Sequence, residues 1–371
     1  MVRHRRSKVI DRRLFTHFDW VLFVAALGLC LIGLATVYSA TFSKWTVIYR
    51  KEFSWMIIGG ALLLVAVVVN YSLLERYAYV LYAASAFLLA AVFVIGRSTG
   101  GAKRWISLGF MTIQPSELAK LALIVMLAKY FSSKAPPKKG LGLKDLAVPG
   151  LILIVPFALI AKQPDLGTAI ILWMIFWSVV LTVRVRPRVL IGMAASFGVM
   201  APFAWKALKG YQKARLTSFL DPGEDPLGTG YHLMQSKIAI GSGGFFGKGF
   251  TKGTQGKLMF LPEHHTDFIF SVLAEEWGLI GSLVVIGLFL TLIIKGLHTA
   301  ANAKDRFGFL LAFGITSMFF WHAAINLGMV SGLLPVVGVP LPFVSYGGSF
   351  LITSMIAVGL LLNVNMRRFM F

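Results

Sequence analysis

Asp267 stands where a long polar interval, roughly residues 206–267, meets an apolar run that begins at Phe268. A carboxylate at such a junction is partly desolvated yet reachable, and desolvation makes it a better proton acceptor. That is the position of a general base. A simple helix cap is the bland alternative. The same interval carries Asp221-Pro222-Gly223-Glu224-Asp225, Gly241-Ser242-Gly243-Gly244 and His264-His265-Thr266. Asp221 to Asp225 could hold a divalent cation, but Asp-Pro-Gly reads first as a turn, and the glycine turn reads as flexible loop as readily as phosphate cradle. His264 and His265 have no partners at metal-ligand spacing, so no zinc site is expected. Arg215 and Lys237 add cations suited to an anionic group such as a diphosphate.

Four further segments carry polar chemistry: Lys103-Arg104-Trp105, Gln114-Pro115-Ser116-Glu117, Gln163-Pro164-Asp165-Leu166-Gly167-Thr168 and Ser345-Tyr346-Gly347-Gly348-Ser349. Pro115 and Pro164 suit helix starts. Glu117 and Lys120 are three apart and can pair on one helix face. Glu275 and Glu276 lie about two turns into an apolar run, at a depth where carboxylates are costly. A helix-packing contact or a partner site competes with catalysis for them.

The elements that must position these groups are membrane-length. Of 371 residues 57% are hydrophobic and 14% charged, against about a quarter charged in a soluble domain. Apolar runs recur at about 18–40, 53–70, 74–96, 115–132, 146–162, 166–184, 188–207, 268–295, 307–330 and 348–365. Runs of about 20 residues span a bilayer, and in lipid they must be helical. The expectation is an all-α polytopic membrane protein. It has about ten transmembrane helices and one large extracytoplasmic loop, about 208–267, between helices seven and eight. A single domain covers residues 1–371.

The net charge of +21 is distributed as topology dictates rather than as a nucleic-acid patch. Arg3, Arg5, Arg6, Lys8, Arg12 and Arg13 precede the first run, and Lys134, Lys138, Lys139 and Lys144 separate runs four and five. Arg184, Arg186 and Arg188, then Lys304 and Arg306, and finally Arg367 and Arg368 fall on the same side when helices are counted alternately. That side is cytoplasmic, so both termini are inside and the long loop is outside. All five polar segments then share the outer face, where helix N-termini favour anions. The first apolar run is too long for a cleavable signal peptide. Cys30 is the only cysteine, so no internal disulfide forms.

These motifs resemble the SEDS proteins (shape, elongation, division and sporulation) over about residues 15–366. The residues that carry the resemblance are Lys103-Arg104-Trp105, Gln114 to Lys120, Gln163 to Thr168, Leu261 to Phe270 and Ser345 to Gly348. Asp225-Pro226-Leu227-Gly228, Gln235 to Gly243 and Gly328 to Pro340 resemble the elongation branch more than the division branch. The resemblance implies a peptidoglycan glycosyltransferase in the bacterial cytoplasmic membrane. Its substrate would be lipid II, an undecaprenyl-diphosphate-linked disaccharide, and its partner a class B penicillin-binding protein. It implies Asp267 as the catalytic aspartate and Glu117 with Lys120 as a supporting pair. Arg104, Asp165, Arg215, Lys237 and His265 would surround the same cavity. A divalent cation, magnesium or manganese, is the one cofactor considered, with its ligands left open; no organic cofactor and no nucleic acid are expected. The competing classes are a flippase for lipid-linked precursors and a non-catalytic scaffold. A flippase would favour half-to-half symmetry, which the sequence lacks, and a scaffold would not require Asp267.

Overall fold

The computed structural model describes residues 17–41, 46–99, 102–107, 109, 112–134, 140–192, 210–221, 228–254 and 265–368. The chain is overwhelmingly helical. In order come α1 (Trp20–Thr41), α2 (Thr46–Val68), α3 (Ser72–Ile95), β1 (Arg97–Thr99), β2 (Ala102–Ser107), β3 (Thr112–Ile113) and α4 (Pro115–Ser132). Then follow α5 (Ala147–Lys162), α6 (Leu166–Thr182), α7 (Gly210–Leu220), α8 (Thr229–Ser242), α9 (Ile269–Ala301), α10 (Arg306–Val330) and α11 (Gly348–Met366). Among the described residues, seven stretches have the length and apolar composition to cross a membrane: α1, most of α2, α3, Lys144–Lys162, α9, α10 and α11. The protein is a multi-pass membrane protein. α6 is apolar but shorter. α4 is 18 residues long and carries Glu117, Lys120 and Lys129. The expected seventh span falls almost wholly outside the described residues, since only 187–192 show helical backbone there.

Two local expectations are corrected. The chain is not purely helical: β1, β2 and β3 form a small antiparallel sheet, with β2 central, between α3 and α4. Ala102–Ser107 shows no polar/apolar alternation, and six residues are too short to stand out beside membrane-length runs. α2 also starts earlier than its apolar run, at Thr46, because Arg50, Lys51 and Glu52 continue the helix.

The layering follows from how much of each helix is apolar on all sides. α11 and α10 are central: 94% and 72% of their most apolar windows are buried, against 22% for α2 and for α3. Membrane helices pack through small residues, because lipid tails offer no hydrophobic drive between them. α11 meets α2 at Gly359, where an added Cβ would lie 2.6 Å from the Leu63 carbonyl oxygen. α9 meets α10 at Gly296, where it would lie 2.3 Å from Thr316 Oγ1. An alanine at either place forces the helices apart.

α9 is one long helix only in outline. At Gly278, φ is +66°, a conformation that glycine adopts at little cost, and the helix breaks there. Before the break, residues 269–276 are buried in protein. After it, Leu279, Ile280, Leu283, Leu290, Ile294 and Leu297 form an exposed apolar stripe.

Candidate active site

Asp267 precedes the first turn of α9. An ideal Cβ built on Gly338 would lie 3.2 Å from Asp267 Oδ2 and 3.9 Å from Arg215 Nη1. Gly338, at φ +73°, thus brings a bare stretch of backbone against both groups. A carboxylate and a guanidinium from distant parts of the chain meet beside one loop, residues 332–345, which joins α10 to α11.

That loop is the hub of the site. Asn326 of α10, fully buried, donates from Nδ2 to the carbonyl of Asp267 at 2.9 Å and to the carbonyl of Val339 at 2.7 Å. Ser345 donates to the Thr266 carbonyl at 2.7 Å and accepts from the Leu341 N–H at 2.8 Å. The Tyr346 N–H donates to the His265 carbonyl at 3.0 Å. Asp267 therefore stands on a main chain tied at three successive residues. Burial, with the Glu52 charge nearby, raises the Tyr346 hydroxyl above its ordinary pKa.

Lys120 and Glu117 form the expected pair at 2.8 Å, with side chains 1% and 5% exposed. The sequence reading did not foresee their third member. Lys120 Nζ lies 2.9 Å from His322 Nε2 and 4.8 Å from the centre of the Phe350 ring. An ammonium only donates, so His322 Nε2 accepts and its Nδ1–H points to the Pro340 carbonyl at 3.3 Å. The pair in α4 is thereby wired to the same loop that carries Gly338. A histidine and an asparagine four apart inside an apolar run, His322 and Asn326, were the available signal.

Asp165 caps α6. Its Oδ1 accepts the Thr168 N–H at 3.3 Å, while Oδ2 accepts Thr168 Oγ1 at 3.0 Å and Gln114 Nε2 at 3.1 Å. The Gln114 N–H donates to Ser349 Oγ at 3.1 Å, which joins α4 to the start of α11. Arg104 donates from Nε to the Gln163 carbonyl at 3.0 Å and from a second nitrogen to that of Pro164. Gly167 abuts the loop as well: a Cβ there would lie 2.7 Å from the Gly338 carbonyl oxygen. All five polar segments thus converge. Within them Arg104 and Asp165 fasten helix starts. Lys237 is exposed and lies across Gly332, where a Cβ would come within 2.0 Å of its Cε.

Glu275 and Glu276 face protein rather than lipid. Glu275 Oε1 takes Lys248 Nζ at 2.6 Å, the Thr254 N–H at 2.8 Å and Thr254 Oγ1 at 2.8 Å. Glu276 Oε1 accepts Ser39 Oγ of α1 at 2.5 Å. The carbonyls of the two glutamates take the N–H groups of Lys248 and Gly249. Gly243 sits where a Cβ would lie 2.1 Å from the Ala274 carbonyl oxygen, so the glycine turn serves packing here. Among the described residues no three His, Cys, Asp or Glu side chains group as a metal site. Of the acidic run at 221–225 only Asp221 is described.

Between α2, α3, α4 and α11 lies an apolar cavity of about 390 Å³, lined by Leu62, Leu81, Leu121, Val125, Ile356 and Leu360 among others. It flanks the helix that carries Glu117 and Lys120.

The chain matches the cell cycle protein family model of the FtsW, RodA and SpoVE type over residues 16–369. It is 41% identical over 354 residues to the peptidoglycan glycosyltransferase MrdB of Escherichia coli K12, covering 95% of this chain and 94% of that protein. It is 38% identical over 361 residues to a probable peptidoglycan glycosyltransferase FtsW of Geobacter metallireducens, covering 94% and 95%. Its fold superposes on a chain from a solved structure titled "Structural coordination of polymerization and crosslinking by a peptidoglycan synthase complex". The TM-score is 0.83 at 32% identity, covering 95% of this chain and 99% of that one.

Proposed function

Because the chain belongs to the cell cycle protein family of FtsW, RodA and SpoVE, we propose that it is a peptidoglycan glycosyltransferase that polymerises lipid II into glycan strands during cell elongation. The observation that carries the mechanism is the meeting of Asp267 and Arg215 beside Gly338. Asp267 takes a proton from the acceptor sugar hydroxyl as that oxygen attacks the donor's anomeric carbon. The bond to the prenyl diphosphate breaks with inversion, and the diphosphate leaves with the electron pair. One base suffices for a single displacement. Arg215, which also lies beside Gly338, stabilises the charge that develops on the leaving group.

The loop of residues 332–345 presents Asp267 at a set height, and the Glu117–Lys120–His322 cluster holds that loop from beneath. The apolar cavity beside α4 suits a polyprenyl chain, whose transfer from lipid costs little when the walls are equally apolar. Ten spans with both termini cytoplasmic and the site on the outer face of the inner membrane fit the distribution of arginine and lysine. A class B penicillin-binding protein is the crosslinking partner in this reading, in keeping with the synthase-complex likeness.

The division-type branch is the second reading, since a probable FtsW is only slightly less similar than MrdB. The motifs at Asp225–Gly228 and Gly328–Pro340 favour elongation. Purified protein incubated with lipid II, with and without its transpeptidase, tests the proposal. Glycan polymer that depends on Asp267 is expected. A folded complex that moves lipid II across a bilayer without joining sugars would replace the enzyme by a flippase.

A further inference from the structure

Segment 243–254 is bound to α9 where that helix breaks. Its backbone carries the contact: the N–H groups of Leu279 and Ile280 donate to the carbonyls of Gly244 and Phe245 at 2.9 and 3.2 Å. The N–H groups of Lys248 and Gly249 donate back to Glu275 and Glu276 at 3.0 Å each. Glu275 then closes the far end of the segment through Thr254. Backbone hydrogen bonds hold the segment to the helix, yet three large apolar side chains on it are exposed. Phe245 is 69% exposed, Phe246 82% and Phe250 46%.

The height of these phenylalanines in the bilayer follows from α9 itself. Its exposed apolar stripe runs from Leu279 to Leu297. At about 1.5 Å per residue that is roughly 27 Å, the thickness of a hydrocarbon core. Residues 269–276, before the break, are buried in protein. The hydrocarbon boundary on the Asp267 side therefore lies at Leu279 and Ile280, the residues hydrogen-bonded to Gly244 and Phe245. Half-buried Trp277 sits at the same level, where tryptophan anchors membrane proteins. Phe250 stacks on Tyr38 near the end of α1, with ring centres 6.3 Å apart. Lys248 and Lys252 alternate with the aromatics along the segment, and Lys252 is exposed. Apolar rings continuous with a lipid-facing stripe, with cations beside them, form the pattern of an interfacial anchor.

We propose that Phe245 and Phe246 insert into the lipid leaflet on the Asp267 side, so that segment 243–254 is a membrane-seated buckle. The occupant of this surface is lipid, with Lys252 reaching the phosphate layer. Through Glu275 and Glu276 the buckle sets the height of the helix start that bears Asp267 relative to the membrane surface. A substrate with its tail in lipid and its diphosphate at the interface needs that height held.

The test uses the full chain in nanodiscs. Cys30, the only cysteine, is replaced by alanine, and Phe246→Cys is labelled with an environment-sensitive nitrobenzoxadiazole dye. Leu283→Cys serves as a control in lipid and Lys304→Cys as a control in water. The nanodiscs carry lipids spin-labelled either near the head or near the end of the acyl chain. Quenching of the Phe246→Cys probe by about twofold or more is expected, stronger for the label near the head. Water-like emission without quenching, while Leu283→Cys is quenched, overturns the proposal. A probe shielded only after a purified transpeptidase partner is added, and never quenched by lipid, overturns it in favour of a protein contact. The readout does not depend on polymerisation, so it stands apart from the proposed activity.

Discussion

The side chain of Asn326 bridges the main chain of Asp267, at 2.9 Å, to that of Val339, at 2.7 Å. The residue proposed to take the proton is thus held from behind through its main chain, with its carboxylate beside Gly338. Asn326→Ala removes both bonds from buried carbonyls, a cost of about 1–3 kcal/mol. The expected outcome is a folded protein whose polymerisation rate falls at least about tenfold with substrate affinity little changed. Rate and affinity for lipid II, measured separately, check it. Loss of affinity alone would place Asn326 in substrate binding instead.

Asp267→Asn keeps the side chain's shape and removes its basicity. Polymerisation should fall by about 10²–10⁴-fold, while thermal unfolding in detergent shifts by no more than about 1 kcal/mol. Normal glycan synthesis by the folded variant would end the general-base role.

Glu117 and Lys120 are both buried, so removing one strands the other's charge. Glu117→Ala and Lys120→Ala should each cost about 3–5 kcal/mol. The double variant should cost less than the sum, with a coupling of about 0.5–3 kcal/mol. His322 complicates the cycle usefully. Because it accepts from Lys120, Glu117→Ala should be the milder single change. Strictly additive losses in a double-mutant cycle would show that the two act separately.

Glu275→Gln leaves the volume of the side chain intact but ends its ion pair with Lys248. Amide exchange at Thr254, whose N–H is bonded to Glu275 Oε1, should speed up by about tenfold or more. Exchange at Asn326 and its neighbours in α10 should not change. Uniform acceleration through the whole protein would mean that the variant is globally destabilised and that Glu275 is not a local clamp.

The charge distribution predicts that a cysteine at Gly223, in a Cys30→Ala background, is labelled from outside in intact cells. A tag after Phe371 should be accessible only from the cytoplasm. Labelling of the Gly223 position only after permeabilisation would reverse the proposed orientation of the site.

Much of the membrane architecture was legible because lipid leaves few choices. A run such as 307–330 must form a helix, and the structure places Arg306–Val330 there. One helix start was legible from Pro115 at the head of α4, whereas Pro164 lies just before α6 and Asp165 supplies the cap. The Glu117–Lys120 pair was legible because three residues of helix bring the side chains onto one face. The small sheet was not, since strands of two to six residues carry too little pattern. The role of Glu275 was not legible either. Its partners Lys248 and Thr254 lie more than 20 residues away, beyond any local periodicity.

By itself, then, the sequence determined that this chain is a helical membrane protein with a chemically equipped polar face. It did so through apolar length, charge asymmetry and motifs whose local spacing is meaningful. Only the tertiary structure decided which of those polar residues work together. Asp267, Arg215, Asn326 and His322 are joined by one short loop around Gly338. Side chains from different helices meet where backbones approach closely and buried polar atoms find partners. That condition is set by packing in three dimensions, and residues so far apart in the chain have no local signature of it.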